Sequence, residues 1–136
     1  MFYKLEFEKL INFDTDKSGI SLNVELRLGL EAITFEAKID TGASFCIFAR
    51  KYGEKLGIRV EDGFLRYFNT TTGNFRAFGH GVTLVTEGFN FDSQVFFAAD
   101  ENFQTDVLGR HGWLDRVVIG INDYDGKLYL SRYEGA

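Results

Sequence analysis

The sequence predicts an all-β domain, mainly antiparallel and closed or curled like a barrel, with one or two short helices. Apolar and polar residues alternate with a period of two over many segments, which is typical of half-buried strands. Glycine occurs 15 times and proline does not occur at all, and glycines separate several of the alternating segments, where they mark turns. Long stretches with the helical spacing of apolar residues are rare.

The length and charge of the chain narrow its class further. The 136 residues fit one domain over 1–136, large enough for a single apolar core. The net charge of −5 comes without a basic stripe, so nucleic acid is not an expected partner. No apolar run approaches the roughly 20 residues that span a bilayer, and the charged start differs from a secretory signal. We therefore expect a cytoplasmic protein with no membrane partner.

Cysteine and histidine are too few for a disulfide framework or a structural zinc site. The chain has one cysteine, Cys46, and two histidines, His80 and His111. Four soft ligands are the usual requirement for structural zinc. Cys46 lies in an apolar run, which favours a buried small side chain over a nucleophile. We expect neither a metal nor an organic cofactor.

The first third of the chain predicts strands around an acidic loop. Alternation predicts a first strand over residues 2–8. The composition of residues 14–19 predicts a loop. Alternation over 22–28 and again over 33–39 then predicts a hairpin with a short connection near Gly29. The second strand of this hairpin runs directly into Asp40.

The rest of the chain predicts short strands, a hairpin tipped by Thr72-Gly73-Asn74 and two short helices. The glycine at that tip suits a tight turn, and Gly57 suits the end of a helix. The predicted elements are a strand over 45–48, a helix over 49–56, two hairpin strands within 65–78, strands over 82–85, 95–98 and 107–109, a brief helix over 111–116, and a closing hairpin of 117–121 and 127–131.

The stretch from Asp40 to Ser44 carries the strongest signal for chemistry. An apolar strand delivers the Asp40 carboxylate rigidly to one place. The Thr41 hydroxyl can fix the following loop by hydrogen bonding. Gly42 permits a tight turn and close approach of another chain to its backbone, and Ala43 leaves space beside the acid.

This stretch resembles a known family. Asp40-Thr41-Gly42-Ala43 is similar to the D-T-G-A signature of retropepsin-like, or retroviral-type, aspartic proteases. Three further features occur in that family's order: the hairpin with Gly73 near its tip, the Val107-Leu108-Gly109-Arg110 element and the closing strand that begins at Gly126. The resemblance covers roughly residues 20–131.

The resemblance implies a subunit that holds half of an aspartic endopeptidase site. Asp40 would be the catalytic acid, and its partner would be the Asp40 of a second copy in a homodimer. Two carboxylates so close share one proton and activate water for cleavage of a peptide or protein segment. The chain has one D-T-G sequence. The most similar other segment, Asp92-Ser93-Gln94, lacks the glycine. A monomer is therefore predicted to be inactive.

The resemblance also implies roles for the surrounding residues. Thr41 would lock the two loops together across the dimer axis, while Gly42 and Ala43 would contact substrate. Thr72, Gly73 and Asn74 would form the tip of a flap that closes over an extended peptide. Leu108, Gly109 and Arg110 would pack behind the catalytic loop. Apolar substrate side chains would be favoured by flap aromatics on the groove side, drawn from Tyr67, Phe68, Phe75 and Phe78.

The chain departs from the viral pattern at Ser44. Viral members often carry an acid at this position, which pairs with the arginine of the Gly-Arg element. With Ser44 in its place, Arg110 must find another partner or solvent.

Two alternatives remain open at this point. The first is a dimer of the same fold that binds peptides without cutting them. The second is a calcium-binding β domain. Asp14, Asp16 and Glu25 match part of the spacing of an EF-hand loop. An EF-hand needs a helix on each side, however, and the alternation over 22–28 predicts a strand.

Overall fold

The computed structural model describes residues 1–71 and 73–134. The helix α1 covers Arg50–Lys55, and two short 3-10 turns cover Val60–Asp62 and Leu114–Arg116. The strands are β1 Lys9–Asn12, β2 Ser21–Leu28, β3 Glu31–Ile39, β4 Ile47–Phe48, β5 Phe64–Thr70, β6 Gly73–Thr86, β7 Phe89–Ala98, β8 Val107–Leu108, β9 Val117–Asn122 and β10 Lys127–Arg132. The predicted all-β class is confirmed.

The larger sheet curls until it closes on itself. Its strand order is β2-β3-β8-β4-β7-β6-β5, and β2 also pairs with β6. The pairing of Val24 with Thr86 and of Arg27 with Thr83 closes the ring. Among the described strands, β5 pairs only with β6, and the two extend from the ring as a hairpin. Closure satisfies backbone groups that an open sheet would leave at its edges.

A smaller sheet joins the two ends of the chain. Strand β10 lies between β1 and β9, antiparallel to both. Lys9 pairs with Leu130 and Asn12 pairs with Lys127. The chain termini are thus held together beside the ring, although more than a hundred residues separate them in sequence.

The core is built from the apolar face of each alternating strand. Leu22, Val24 and Leu26 of β2 are buried, as their spacing predicts. The largest fully buried side chain is Trp113. Its indole N–H donates to the Thr86 hydroxyl at 3.0 Å. Both side chains are buried, so this bond pairs two polar groups that water cannot reach.

The helix α1 is fixed to the ring by packing and by an ion pair. Gly53 lies so close to Phe97 that a Cβ at this position would be 3.0 Å from the ring. Gly57 ends the helix with a positive φ of 80°, as predicted. At the other end, the Arg50 guanidinium binds both carboxylate oxygens of Glu61, at 2.5 and 2.6 Å. No helix in the described part of the chain is long and apolar enough to cross a membrane.

Four predicted elements differ from the structure. The first strand is not at 2–8 but at Lys9–Asn12, because residues 1–5 run along no neighbouring strand with which they could pair. The predicted strands over 82–85 and 95–98 are parts of the longer β6 and β7. The predicted helix over 111–116 is only a 3-10 turn.

The buried Trp113–Thr86 hydrogen bond predicts that two threonine substitutions on β6 differ in their effect on stability. Thr86→Val keeps the shape but leaves the indole N–H unpaired, so we expect a loss of about 1–3 kcal/mol in the free energy of unfolding. Thr83→Val on the same strand is the control, because the Thr83 hydroxyl bonds no other described residue. Urea denaturation measures both variants, and equal stabilities would contradict the role given to the buried bond.

The Arg50–Glu61 pair predicts a pH-dependent contribution to stability. Hydrogen bonding to Arg50 lowers the pKa of Glu61 from 4.5 to about 2. The contribution is therefore fully present above pH 4.5 and disappears as the pH falls through about 2. Because the Glu61 side chain is 57% exposed, we expect Glu61→Gln to cost at most about 1 kcal/mol at pH 7.

Most of this cost should be lost when thermal unfolding is followed at pH 2, where about half of the folded molecules carry a protonated Glu61. Glu31→Gln, at an exposed position without an ion pair among the described residues, provides the control. A loss of stability in Glu61→Gln that is the same at pH 7 and pH 2 would contradict the assignment.

Candidate active site

Two parallel strands place Asp40 at the end of the ring. Strand β3 pairs in parallel with β8, with Ile39 opposite Leu108. Immediately after this pair, the Asp40 N–H donates to the Leu108 carbonyl at 3.0 Å. The two-strand contact therefore fixes the backbone of Asp40 at the end of the ring.

The loop after Asp40 folds back onto the aspartate. The Gly42 N–H donates to Oδ1 of Asp40 at 3.0 Å, and the Ala43 N–H donates to the Asp40 carbonyl at 3.1 Å. Asp40, Thr41 and Gly42 are exposed in the single chain. The Thr41 hydroxyl makes no hydrogen bond to any described residue. The loop thus presents an oriented carboxylate and a free hydroxyl to its surroundings.

Gly109 lies directly behind this loop. A Cβ at Gly109 would come within 2.2 Å of the Phe45 carbonyl oxygen and 2.9 Å of the Ala43 carbonyl oxygen. Two further backbone bonds join the segments: Arg110 N–H to the Ala43 carbonyl at 2.8 Å and His111 N–H to the Ser44 carbonyl at 2.9 Å. Only glycine permits this approach of two backbones.

The Arg110 side chain is exposed. It forms no ion pair with a carboxylate in residues 1–71 or 73–134. This agrees with the expectation drawn from Ser44, whose side chain offers no charge. Arg110 therefore contributes to the loop support through its backbone alone within the single chain.

A groove of about 590 Å³ lies between the Asp40 loop and the hairpin of β5 and β6. The Asp40 loop forms one wall, and Asn69, Thr70, Gly73 and Asn74 come from the hairpin end. The Thr70 hydroxyl donates to the Gly73 carbonyl at 2.6 Å across the tip. The structure thus brings the predicted Gly73 and Asn74 over the loop that carries the predicted Asp40, while the predicted Thr72 lies outside the described residues.

Two of the four predicted hairpin aromatics face the groove. Phe68 and Phe75 stack on each other with ring centroids 5.2 Å apart and line the groove. Tyr67 is exposed instead, and Phe78 is buried in the main core. The alternation of a strand explains the split for Tyr67, because neighbouring side chains point to opposite faces. Phe78 lies where the hairpin has already entered the ring.

No local sequence signal pointed to two further aromatic side chains, Phe103 in the groove and Phe45 beside it. Phe45 follows the Asp40 loop, and its ring contacts Phe68 at 5.9 Å and Phe96 at 5.1 Å. Phe103 lies in a segment without a predicted element, yet its ring is 4.7 Å from that of Phe75. The high phenylalanine content was visible in the composition, but contacts between distant segments depend on the folded chain.

Among the described residues, Asp40 is the only carboxylate that lines the groove. Asp106, immediately before β8, has a different role, since its Oδ1 accepts a hydrogen bond from the Ala49 N–H at 2.8 Å. Burial raises the pKa of Asp106. Cys46 is fully buried, and burial raises the pKa of its thiol to about 12. This agrees with the prediction of an unreactive cysteine.

The acidic loop after β1 lacks the surroundings of an EF-hand. It lies between β1 and β2 instead of between two helices. Oδ1 of Asp14 accepts a hydrogen bond from the Asp16 N–H at 2.9 Å, and Glu25 pairs with Arg27. No group of three His, Cys, Asp or Glu side chains in the described ranges could hold a metal ion.

The contact behind the loop predicts that Gly109 does not tolerate a side chain. In Gly109→Ala the new methyl group must displace backbone carbonyls, so we expect a loss of at least about 3 kcal/mol in the free energy of unfolding. Gly81→Ala is the control, because a Cβ at Gly81 meets nothing within 4 Å; its effect should stay below about 0.5 kcal/mol. Similar denaturation midpoints for the two variants would contradict the steric account.

Comparison with solved structures gives clear matches of fold. A retropepsin-like aspartic protease from Rickettsia conorii matches with a TM-score of 0.65 and 21% identity, over 95% of this chain and 96% of that chain. The EIAV protease, in complex with the inhibitor HBY-793, matches with a TM-score of 0.56 and 18% identity, over 74% and 88%. No family model and no curated protein sequence matches the chain. The chain therefore has the fold of retropepsin-like aspartic proteases.

Proposed function

We propose that the chain is one subunit of a homodimeric aspartic endopeptidase, with Asp40 as its catalytic acid. The observation that carries this proposal is the position of Asp40. It is the only described carboxylate in a groove that the β5–β6 hairpin covers, in a chain whose fold is that of proteases of this type. The hairpin takes the position of a flap.

The chemistry supplies the reason for a second copy. Aspartic proteolysis needs two carboxylates about 3 Å apart, so close that only one of them ionises. The groove of a single chain contains one such carboxylate among the described residues, that of Asp40. A twofold axis near Asp40 would bring the same loop from another subunit against it, and the resulting pair would titrate as a unit.

The proposed reaction needs only water and the pair of acids. The ionised carboxylate takes a proton from water, and the oxygen of that water forms a bond to the carbonyl carbon of the peptide. The protonated carboxyl group donates a hydrogen bond to the carbonyl oxygen as charge develops there. When the C–N bond breaks, the amine nitrogen receives a proton, and the products are a carboxylic acid and an amine.

The loop and flap residues have proposed roles in this dimer. The exposed hydroxyl of Thr41 would bond to the partner loop. Gly42 and Ala43 would contact the substrate backbone, and Gly73 and Asn74 would close over it from the flap side. Flap closure excludes water and adds strand-like hydrogen bonds to an extended peptide.

The terminal region offers apolar surface for the second copy. Met1, Phe2, Tyr3 and Leu5 are between 68% and 102% exposed. Their continuation, Phe7, already packs on Tyr129 of the small sheet, with ring centroids 5.6 Å apart. An exposed apolar run beside a sheet that carries both termini is the kind of surface that association buries.

The proposal predicts that Asp40→Asn abolishes cleavage. The amide can neither activate water nor share a proton, so we expect the rate on a mixed peptide library at pH 4–7 to fall by at least about a thousandfold. Analytical ultracentrifugation should find wild type and variant equally dimeric. Asp92→Asn, an exposed acid outside the groove, is the matched control and should remain active.

The outcomes separate the proposal from its alternative. Equal cleavage by wild type and Asp40→Asn would reject the assignment of the catalytic acid. A dimer that binds library peptides but cuts none in either form would support the silent peptide-binding protein. A strictly monomeric protein that cleaves peptides would reject the shared site.

A further inference from the structure

A second depression lies further along strand β5 from the Asp40 groove. Its volume is about 360 Å³, and Phe45, Phe64, Arg66 and Phe96 contribute to its wall. Phe64 and Arg66 lie on the same face of β5 as Phe68, which lines the Asp40 groove, because side chains two apart in a strand share a face. We name this space the Arg66 depression.

Phe45 links the linings of the two spaces, because its ring lines the depression and contacts that of Phe68, which lines the groove. It follows Ser44, which lines the Asp40 groove, and its own ring lines the Arg66 depression. The Arg66 guanidinium lies over this ring, with 4.6 Å from Cζ to the centroid. The ring holds the guanidinium by a cation–π contact without neutralising its charge.

The Arg66 depression is cationic, although the chain as a whole carries a net charge of −5. Arg66 is exposed and forms no ion pair with any carboxylate in the described residues. Arg116 and His111 also line the depression, and Asp115 is the only acid there. Asp115 is already engaged by the Gly112 N–H at 3.1 Å, by His111 at 3.6 Å and by Arg116 at 4.0 Å. This leaves the charge of Arg66 uncompensated.

From this geometry we propose that the Arg66 depression selects an acidic side chain of the substrate, so that Arg66 determines specificity. The inference rests on the proposed peptidase function. Phe68 and Phe64 are four strand positions apart, or about 13 Å. A peptide that runs extended along β5 therefore places a residue two to four positions from the cleaved bond in the depression. The aromatic walls suit the methylene groups of glutamate, and its carboxylate meets the guanidinium.

Matched peptides test this directly. A peptide that the wild type cleaves is remade with Glu, Gln or Lys at each position from two to four residues on either side of the cleaved bond. We expect Glu at one of these positions to raise kcat/KM about three- to tenfold over Gln. Arg66→Gln should remove this preference and Arg66→Glu should turn it towards Lys. Arg59→Gln, an exposed arginine outside both spaces, should leave it unchanged.

Binding provides a readout that does not need cleavage. The affinity of fluorescent Glu and Gln peptides for the Asp40→Asn protein, with and without Arg66→Gln, is measured by anisotropy at low and high salt. A preference for Glu that depends on Arg66 and weakens with salt supports the inference, even if no peptide is cut and the peptidase proposal fails. Cleavage or binding that is indifferent to Glu, Gln and Lys at every tested position overturns it.

Discussion

The backbone contact between Gly109 and the Asp40 loop is the constraint on which the rest of the site depends. The contact requires that residue 109 carries no side chain. It also includes backbone hydrogen bonds from the segment after β8 to the carbonyls of Ala43 and Ser44. Because β8 also pairs with β3, one short segment fixes both the strand before Asp40 and the loop after it. The ring therefore fixes the backbone on both sides of Asp40, and the Gly42 N–H then orients the carboxylate.

A different type of contact joins the β5–β6 hairpin to this rigid base. Strand β6 is held in the ring by β7 and β2, but β5 pairs with no strand other than β6 among the described residues, so the contact of β5 with the Asp40 side of the groove depends on side chains. The rings of Phe45, Phe68 and Phe96 lie within 6 Å of one another, and Arg66 adds a charged contact on the same wall. Aromatic contacts of this kind are individually modest and can separate without breaking a backbone ladder. The molecule thus combines a base held by hydrogen bonds with a cover held by packing.

Much of this arrangement could be predicted from the sequence, because its signals are local. Alternation over 22–28 and 33–39 predicted the hairpin that ends at Asp40, and Gly57 and Gly73 marked a helix end and a hairpin tip. The failures have a common physical cause, which is dependence on a distant neighbour. Residues 2–8 alternate well, but a strand forms only where a partner runs beside it. The roles of Phe45, Phe103 and Arg66 likewise depend on segments that are far apart in sequence.

The burial of Cys46 has a practical consequence. Its sulfur is fully enclosed directly after the Asp40 loop, and Gly112 packs against it from the other side. A protonated, inaccessible thiol reacts with alkylating reagents only when the surrounding structure opens. As the chain contains no other cysteine, the modification rate of this single thiol measures how often the interior behind the aspartate becomes open to solvent.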